Sequence, residues 1–390
     1  MTALRTASEP RRMMMNANHE VPSAVDQYWA AHVVCSTIFQ TAQESEEYLE
    51  WRFHTYPLFR EFSGLYGFHD GEVVLDYGCG PGNDLVGFAL YSNAKKIIGM
   101  DVSSKALDLA AARGALHGVD PGKIELIQTT DETSTIPLDD NSVDFINCQG
   151  VLQHTSHPET VLQEFHRVMK PQARGVVMVY NRDSLWLHLY TAYQCLVLQD
   201  AFPGLNAYEA FSRNVDGVAC PIARAYAERD FRSLCEEIGF IVEYAGGYLA
   251  ETEMASLKRY RESALQDPRL QDEHKEFLRN LTFDRTGYPL YRGKHAGIGG
   301  VYRLYCWNKE TGPQRDLARS CALQAELADL REQIVQTGAH YAQFRSRFAA
   351  MERDYCALQG RKRRWLSISG IRAARSLCCG LLRLGRFVGL

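Results

Sequence analysis

Val73-Val74-Leu75-Asp76-Tyr77-Gly78-Cys79-Gly80-Pro81-Gly82-Asn83 is the stretch on which the fold turns. Its apolar start is short enough for a buried strand and is closed by an acid, then by glycines at alternate positions. Such glycines allow a tight turn and let a ligand approach the backbone. The helix that follows offers free N–H groups and a positive dipole end, a setting for negative charge. Alone, a glycine-rich strand–helix turn is common to several nucleotide folds. Two details narrow it. The dinucleotide fingerprint needs glycine where this chain has Asn83. Asp76 closes the strand beside the loop, where a carboxylate repels a diphosphate and attracts an ammonium. The loop therefore suits a ligand that ends in a zwitterionic amino-acid tail.

Working outward, strand and helix patterns alternate. Strands are expected at Lys96–Met100, Ile124–Gln128, Val143–Asn147 and Gly175–Tyr180, with helices after the loop through Tyr91, over Ser103–Leu116 and over Pro158–Met169. A later helix, Ala225–Ile238, precedes the strands Phe240–Tyr244 and Val301–Trp307. This rhythm predicts an α/β fold, a Rossmann-like, doubly wound and mostly parallel seven-stranded sheet. Asp101, at the tip of the second strand, is placed to accept both ribose hydroxyls of a nucleoside, with Val102 against the base. Asp131, just past the third strand, reads either as partner of an adenine amino group or as an ordinary loop aspartate.

Residues 72–181 resemble the S-adenosylmethionine (SAM)-binding domain of class I methyltransferases, particularly the type 11 group. The likeness rests on VLDYGCGPG, GMDVSSKAL, IPLDDNSVDFINCQGVLQH and EFHRVMKP. It implies SAM as cofactor, with Asp76, Gly78, Gly80, Asp101, Asp131 and the Asn147–Gly150 region lining its pocket. Cys79, Gly82, Val102 and Gln149 complete the expected cofactor set. After Lys170-Pro171 the family usually has paired glycines; this chain has Gln172-Ala173. The resemblance covers somewhat more than a quarter of the chain and says almost nothing of the methyl acceptor.

A hydroxyl acceptor needs a base as it attacks. His154, after the fourth strand, is the leading candidate; its other reading is a structural histidine bonded to a backbone carbonyl. His157, Asp183 and Asp216 are weaker candidates. Trp51 and Arg52 are expected to close over the cofactor, Arg52 either clamping its carboxylate or lying solvated on a helix. No residue cluster suggests a metal.

Residues 1–25 read as a disordered lead-in, 26–70 as helices capping the cofactor site, with Tyr28, Val33, Ile38, Tyr48, Trp51 and Phe59 as apolar positions. The methyltransferase domain is expected over 71–308, with insertions at about 183–224 and 246–298 beside the acceptor. The segment 315–360 reads as a coiled-coil helix: apolar residues recur at 4–3 spacing from Leu323 to Leu358, which predicts self-association. The tail, 361–390, has eight Arg or Lys and no Asp or Glu, against an overall charge of −4. Its basic residues alternate with Leu, Ile and Phe, the pattern of an amphipathic helix on an anionic membrane surface. The acidic body argues against nucleic acid. Eleven cysteines without CxxC spacing, and no secretory signal, suggest reduced thiols in a cytoplasmic protein, peripheral at the inner face of the membrane.

The domain order is similar in outline to bacterial enzymes acting on surface polysaccharides, which makes a sugar or lipid-linked glycan hydroxyl the first expectation for acceptor. A lipid or small-molecule acceptor is the alternative. Two rivals remain: an NAD-dependent oxidoreductase, opposed by Asn83 and Asp76, and a non-catalytic scaffold acting through its coiled coil.

Overall fold

A computed structural model describes residues 23–66 and 69–306. The heptad segment 323–358 and the basic tail 361–390 lie outside the described residues. Three helices lead in: α1 (Ala24–Ala31), α2 (Ala42–Thr55) and α3 (Phe59–Ser63). Then come β1 (Val73–Tyr77), α4 (Asn83–Tyr91), β2 (Lys96–Asp101), α5 (Ser104–Leu116), β3 (Ile124–Gln128), β4 (Val143–Gln149), α6 (Pro158–Val168) and β5 (Met169–Asn181). A π-wound helical segment, Trp186–Leu198, and α7 (Ala207–Asn214) fill the first insertion. They are followed by β6 (Ala225–Tyr226), α8 (Glu228–Ile238) and β7 (Ile241–Tyr248). The second insertion holds α9 (Glu251–Gln266), α10 (Asp272–Arg279) and the short strands β8 (Thr282–Phe283), β9 (Pro289–Tyr291) and β10 (Lys294–His295); β11 (Gly299–Tyr305) closes the order.

The main sheet runs β3-β2-β1-β4-β5-β11-β7, with two-residue β6 paired to the end of β5. β1 to β5 are parallel, and β11 lies antiparallel between β5 and β7. Successive strand residues face opposite sides. Leu75, Ile146, Val177 and Tyr302 therefore join one core with α6 and α8, while Val74, Phe145, Val176 and Val301 join another with α3, α4 and α5. The order changes direction between β1 and β4, and the glycine loop sits at that switch point, where open α/β sheets bind ligands.

Several boundaries differ from expectation for local reasons. β5 starts six residues early because Gln172 adopts φ +70° and donates its N–H to the Cys306 carbonyl, so it takes the left-handed shape glycine favours. The helix expected from Ala225 begins at Glu228, since Ala225 and Tyr226 pair with Tyr180 and Asn181. The last strand spans Gly299–Tyr305, shifted two residues toward the N-terminus. The insertion expected at about 183–224 holds two helical segments, Trp186–Leu198 and Ala207–Asn214; the first is so largely apolar that it has no polar face to reveal a period. Ile38 and Trp51, read as apolar positions, are 72% and 48% exposed.

Both insertions are pinned by one side chain. Glu253, fully buried, accepts N–H bonds from Trp186, Ala250 and Ile298, and burial pushes its carboxyl up to about 8. A third core, including Leu187, Phe211, Leu257 and Leu278, packs around it.

Candidate active site

The loop after β1 is shaped by its neighbours. Gly78 and Cys79 donate N–H bonds to the Met100 carbonyl at 2.8 and 2.9 Å, and Gly80 donates to Asp101 Oδ2 at 2.8 Å. Gly82, at φ +79°, caps α4; a Cβ there would lie 2.8 Å from Ala110 Cβ and 2.9 Å from Ala110 Cα. Gly80, at φ +52°, is different: a Cβ would meet nothing within 4 Å. The backbone is thus open to a ligand at Gly80 and closed by α5 at Gly82. Cys79 is buried, and burial drives its thiol pKa well up, so it serves as lining rather than as a nucleophile.

Asp76 is buried at the end of β1. Its Oδ1 accepts from Asn147 Nδ2 at 2.8 Å, while its Oδ2 has no partner. Burial first, then the nearby Asp84, raises its pKa well above the carboxylate range. Asp84, in the first turn of α4, is the opposite case. Burial alone would raise it, but the Arg52 guanidinium, bonded to both its oxygens, holds it low with help from Tyr66 and Asn147. Arg52 is therefore no solvated helix charge, a correction to that reading; both of its terminal nitrogens are engaged by Asp84, one of them by Tyr66 as well. Trp51 beside it points outward.

Asp101 holds the loop as well as the ligand edge: Oδ1 accepts from Ser103 N at 2.9 Å and Oδ2 from Gly80 N. Burial raises it, the backbone N–H bonds oppose this, and each oxygen retains a lone pair for a hydroxyl. Val102 follows, half-buried, its carbonyl accepting from Gln128. Asp131 is buried beneath α1: its N–H donates to Asp26 Oδ1, its Oδ1 accepts from Ser156 N, and its Oδ2 has no donor. Gln149 donates to Asn147 Oδ1 at 3.0 Å, and its Oε1 too has no donor. Three buried acceptor atoms, on Asp76, Asp131 and Gln149, thus lack protein donors. Unsatisfied buried acceptors are costly, and the ammonium and adenine amino groups of SAM are donors of the type they lack. The residues fit the cofactor.

Beyond β4, His154 is buried. Its Nδ1 faces the Ile222 carbonyl at 2.7 Å, and its Nε2 lies 3.3 Å from Asp216 Oδ2. Burial lowers its pKa against the pull of Asp216. Asp216 Oδ2 also accepts from Tyr180 OH at 2.8 Å, and Tyr28 OH donates to the Asp216 carbonyl. Trp29 packs edge-on to His154, its ring 4.8 Å away. Gln153 beside it is fully buried, with neither amide atom hydrogen-bonded. His157 is exposed at the start of α6, away from this cluster, and Asp183 lines a different cavity. Among the described residues no group of three or more His, Cys, Asp or Glu could hold a metal ion, and no helix is long and apolar enough to cross a membrane.

Sequence reading missed Asp84, Tyr66, Tyr180 and Gln153. Only Tyr180 carried a signal, a polar group at the carboxyl end of a strand beside the switch point.

Residues 75–177 match the Methyltransf_11 family, described as a methyltransferase domain. An uncharacterized methyltransferase of Schizosaccharomyces pombe is 36% identical over 123 residues, 30% of this chain and 43% of that protein. The mitochondrial ubiquinone biosynthesis O-methyltransferase of the same organism is 27% identical over 143 residues, 37% of this chain and 50% of its own length. A solved SAM-dependent methyltransferase from Aquifex aeolicus is 20% identical, covering 53% of this chain and 93% of that one, with a TM-score of 0.35. The chain spans half or less of the length of these curated relatives. Residues 75–177 therefore carry a class I SAM-dependent methyltransferase domain.

Proposed function

We propose that this chain methylates a hydroxyl group, first of all one on a sugar or lipid-linked glycan. One observation carries the reading: the Asp216–His154 pair just beyond the cofactor loop. With its Nδ1–H given to the Ile222 carbonyl, neutral His154 turns a lone pair at Nε2 toward the Asp216 carboxylate. A carboxylate oxygen and an imidazole lone pair set side by side can take the proton a hydroxyl must lose as it attacks. Asp216 is the more open member, its side chain 17% exposed against 5% for His154, so it is the one to meet the acceptor. Tyr180 and Tyr28 hold its position.

When bound, SAM supplies a methyl group already activated on a sulfonium. Asp76 and Gln149 would take its ammonium end, Gly78, Gly80 and Gly82 would shape the loop around it, Asp101 would take the ribose, and Asp131 with Val102 the adenine. The chain's remaining task is alignment and exclusion of water. The similarity to a ubiquinone biosynthesis O-methyltransferase supports oxygen as the acceptor atom and keeps a small-molecule acceptor as the second reading.

Asp216→Asn is expected to lower kcat at least a hundredfold while SAM uptake stays within about twofold. Labelled methyl transfer from SAM into a lysate, separated into lipid, glycan, protein and metabolite pools, finds the acceptor. SAM uptake without label in any pool overturns the catalytic reading in favour of a scaffold. We also read residues 323–358 as a self-association segment and 361–390 as an attachment to anionic membrane. A chain ended at Gly360 should then lose flotation with anionic vesicles, and equal flotation removes the attachment.

A further inference from the structure

A cavity of about 540 Å³ opens on the other side of β5 from the Asp216 cluster. It shares no lining residue with the glycine loop and is built by elements the cofactor domain does not need: α8, α10, the β9–β10 hairpin and the first insertion. Its volume is that of a small-ligand site.

The floor is aromatic and uncharged. Phe277 and Tyr244 are buried, and His188 stacks on Phe277 with ring centroids 4.1 Å apart. His188 Nδ1 sits 2.9 Å from His274 Nδ1; burial and that neighbour keep it neutral. Tyr244 is the telling residue. The residue as a whole is 4% exposed, but its hydroxyl, which has no protein hydrogen-bond partner among the described residues, is not itself buried, and the residue lines the cavity. A hydroxyl open to a cavity with no protein partner has both its donor and its acceptor capacity available to a ligand.

The rim is charged with both signs. Glu273 and Glu276 come from α10, Arg292 and Lys294 from the hairpin. Glu276 and Arg292 have no ion-pair partner among the described residues, and Lys294 donates only to the Tyr244 carbonyl at 2.9 Å. Tyr208 and Tyr291 add two more ring faces. A polyanion would be repelled by the acids, and a cation by the basic residues. A neutral ligand rich in hydroxyls uses both, donating to carboxylates and accepting from guanidinium and ammonium, while its C–H faces lie on the rings.

We infer that this cavity binds a neutral glycosyl unit of the acceptor, remote from the hydroxyl that is methylated. The inference rests on the proposed hydroxyl acceptor and narrows it. Asn181 lines the cavity and Tyr180, the adjacent residue on β5, holds Asp216; neighbouring strand residues face opposite ways, so one acceptor reaching both must be longer than a single sugar.

Saturation-transfer NMR on the full chain, with methyl α-glucoside, methyl α-galactoside, methyl α-mannoside and N-acetylglucosamine as probes, tests this. At least one should bind at millimolar concentration. Tyr244→Phe should weaken it several-fold and Glu276→Gln with Arg292→Ala by about tenfold or more. Each variant's SAM uptake, measured in the same samples, should be unchanged. No binding of any probe, tighter binding of inorganic phosphate than of every sugar, or sugar binding indifferent to these variants overturns the inference. Loss of SAM uptake in the parent chain would strike the proposed function instead, so the two failures are separable.

Discussion

Asp76→Asn should weaken SAM uptake about a hundredfold and remove most of its pH dependence. The carboxylate is buried with Oδ2 unbonded, and in the free protein burial and Asp84 favour its protonated form. An arriving ammonium favours the ionised form, so binding expels a proton and affinity climbs as pH rises toward the raised pKa of Asp76. Loss of a buried charge-assisted bond of this kind costs about 3 kcal/mol, which is the hundredfold. Calorimetry in buffers of different ionisation enthalpy should detect the released proton in the parent chain and none in the variant. The stability of the free protein runs the other way. A carboxyl whose folded pKa is raised contributes stability that is fully present below its unfolded value and is lost as pH rises through the folded one. SAM should therefore stabilise the protein more at pH 8 than at pH 5, and a flat response would contradict this reading of Asp76.

Arg52→Ala should cost about 3 kcal/mol of stability, a drop in Tm of roughly 5–10 °C by thermal melting. It strands Asp84, which is buried and otherwise bonded only to Tyr66 and Asn147. Asp84 has a depressed pKa, so its contribution is present above the ordinary carboxylate range and lost as pH falls through the depressed value. The acid-side loss of stability should shrink in the variant. Arg52 also helps hold Asp76 down, so its removal should shift the pH dependence of SAM uptake to higher pH. Arg52→Lys should recover part of the stability, because one ammonium cannot bond both Asp84 oxygens as the guanidinium does. Equal melting of parent and alanine variant would remove the pair from the account.

What could be read in advance was local. The glycine loop, the acids at the tips of β1 and β2 and the strand–helix alternation are each written within a dozen residues, so the sheet was legible before its order was known. Contacts between distant segments were not. Arg52 meets Asp84 across 32 residues and His154 meets Ile222 across 68, and no periodicity announces either pair. Gln172 shows a third kind of difficulty: a residue with a side chain adopts the backbone shape where glycine was expected, because its N–H finds the Cys306 carbonyl. His154 carried two readings, and its geometry contains elements of each, a carbonyl on one nitrogen and a carboxylate on the other.

Glu253 ties the start of Trp186–Leu198, the start of α9 and the approach to β11 into one knot. Segments laced together this way cannot swing independently; unlacing one leaves buried N–H groups bare at the other two. Any motion that displaces one of these segments must therefore carry the other two with it, so the two insertions answer to a strain as a single piece.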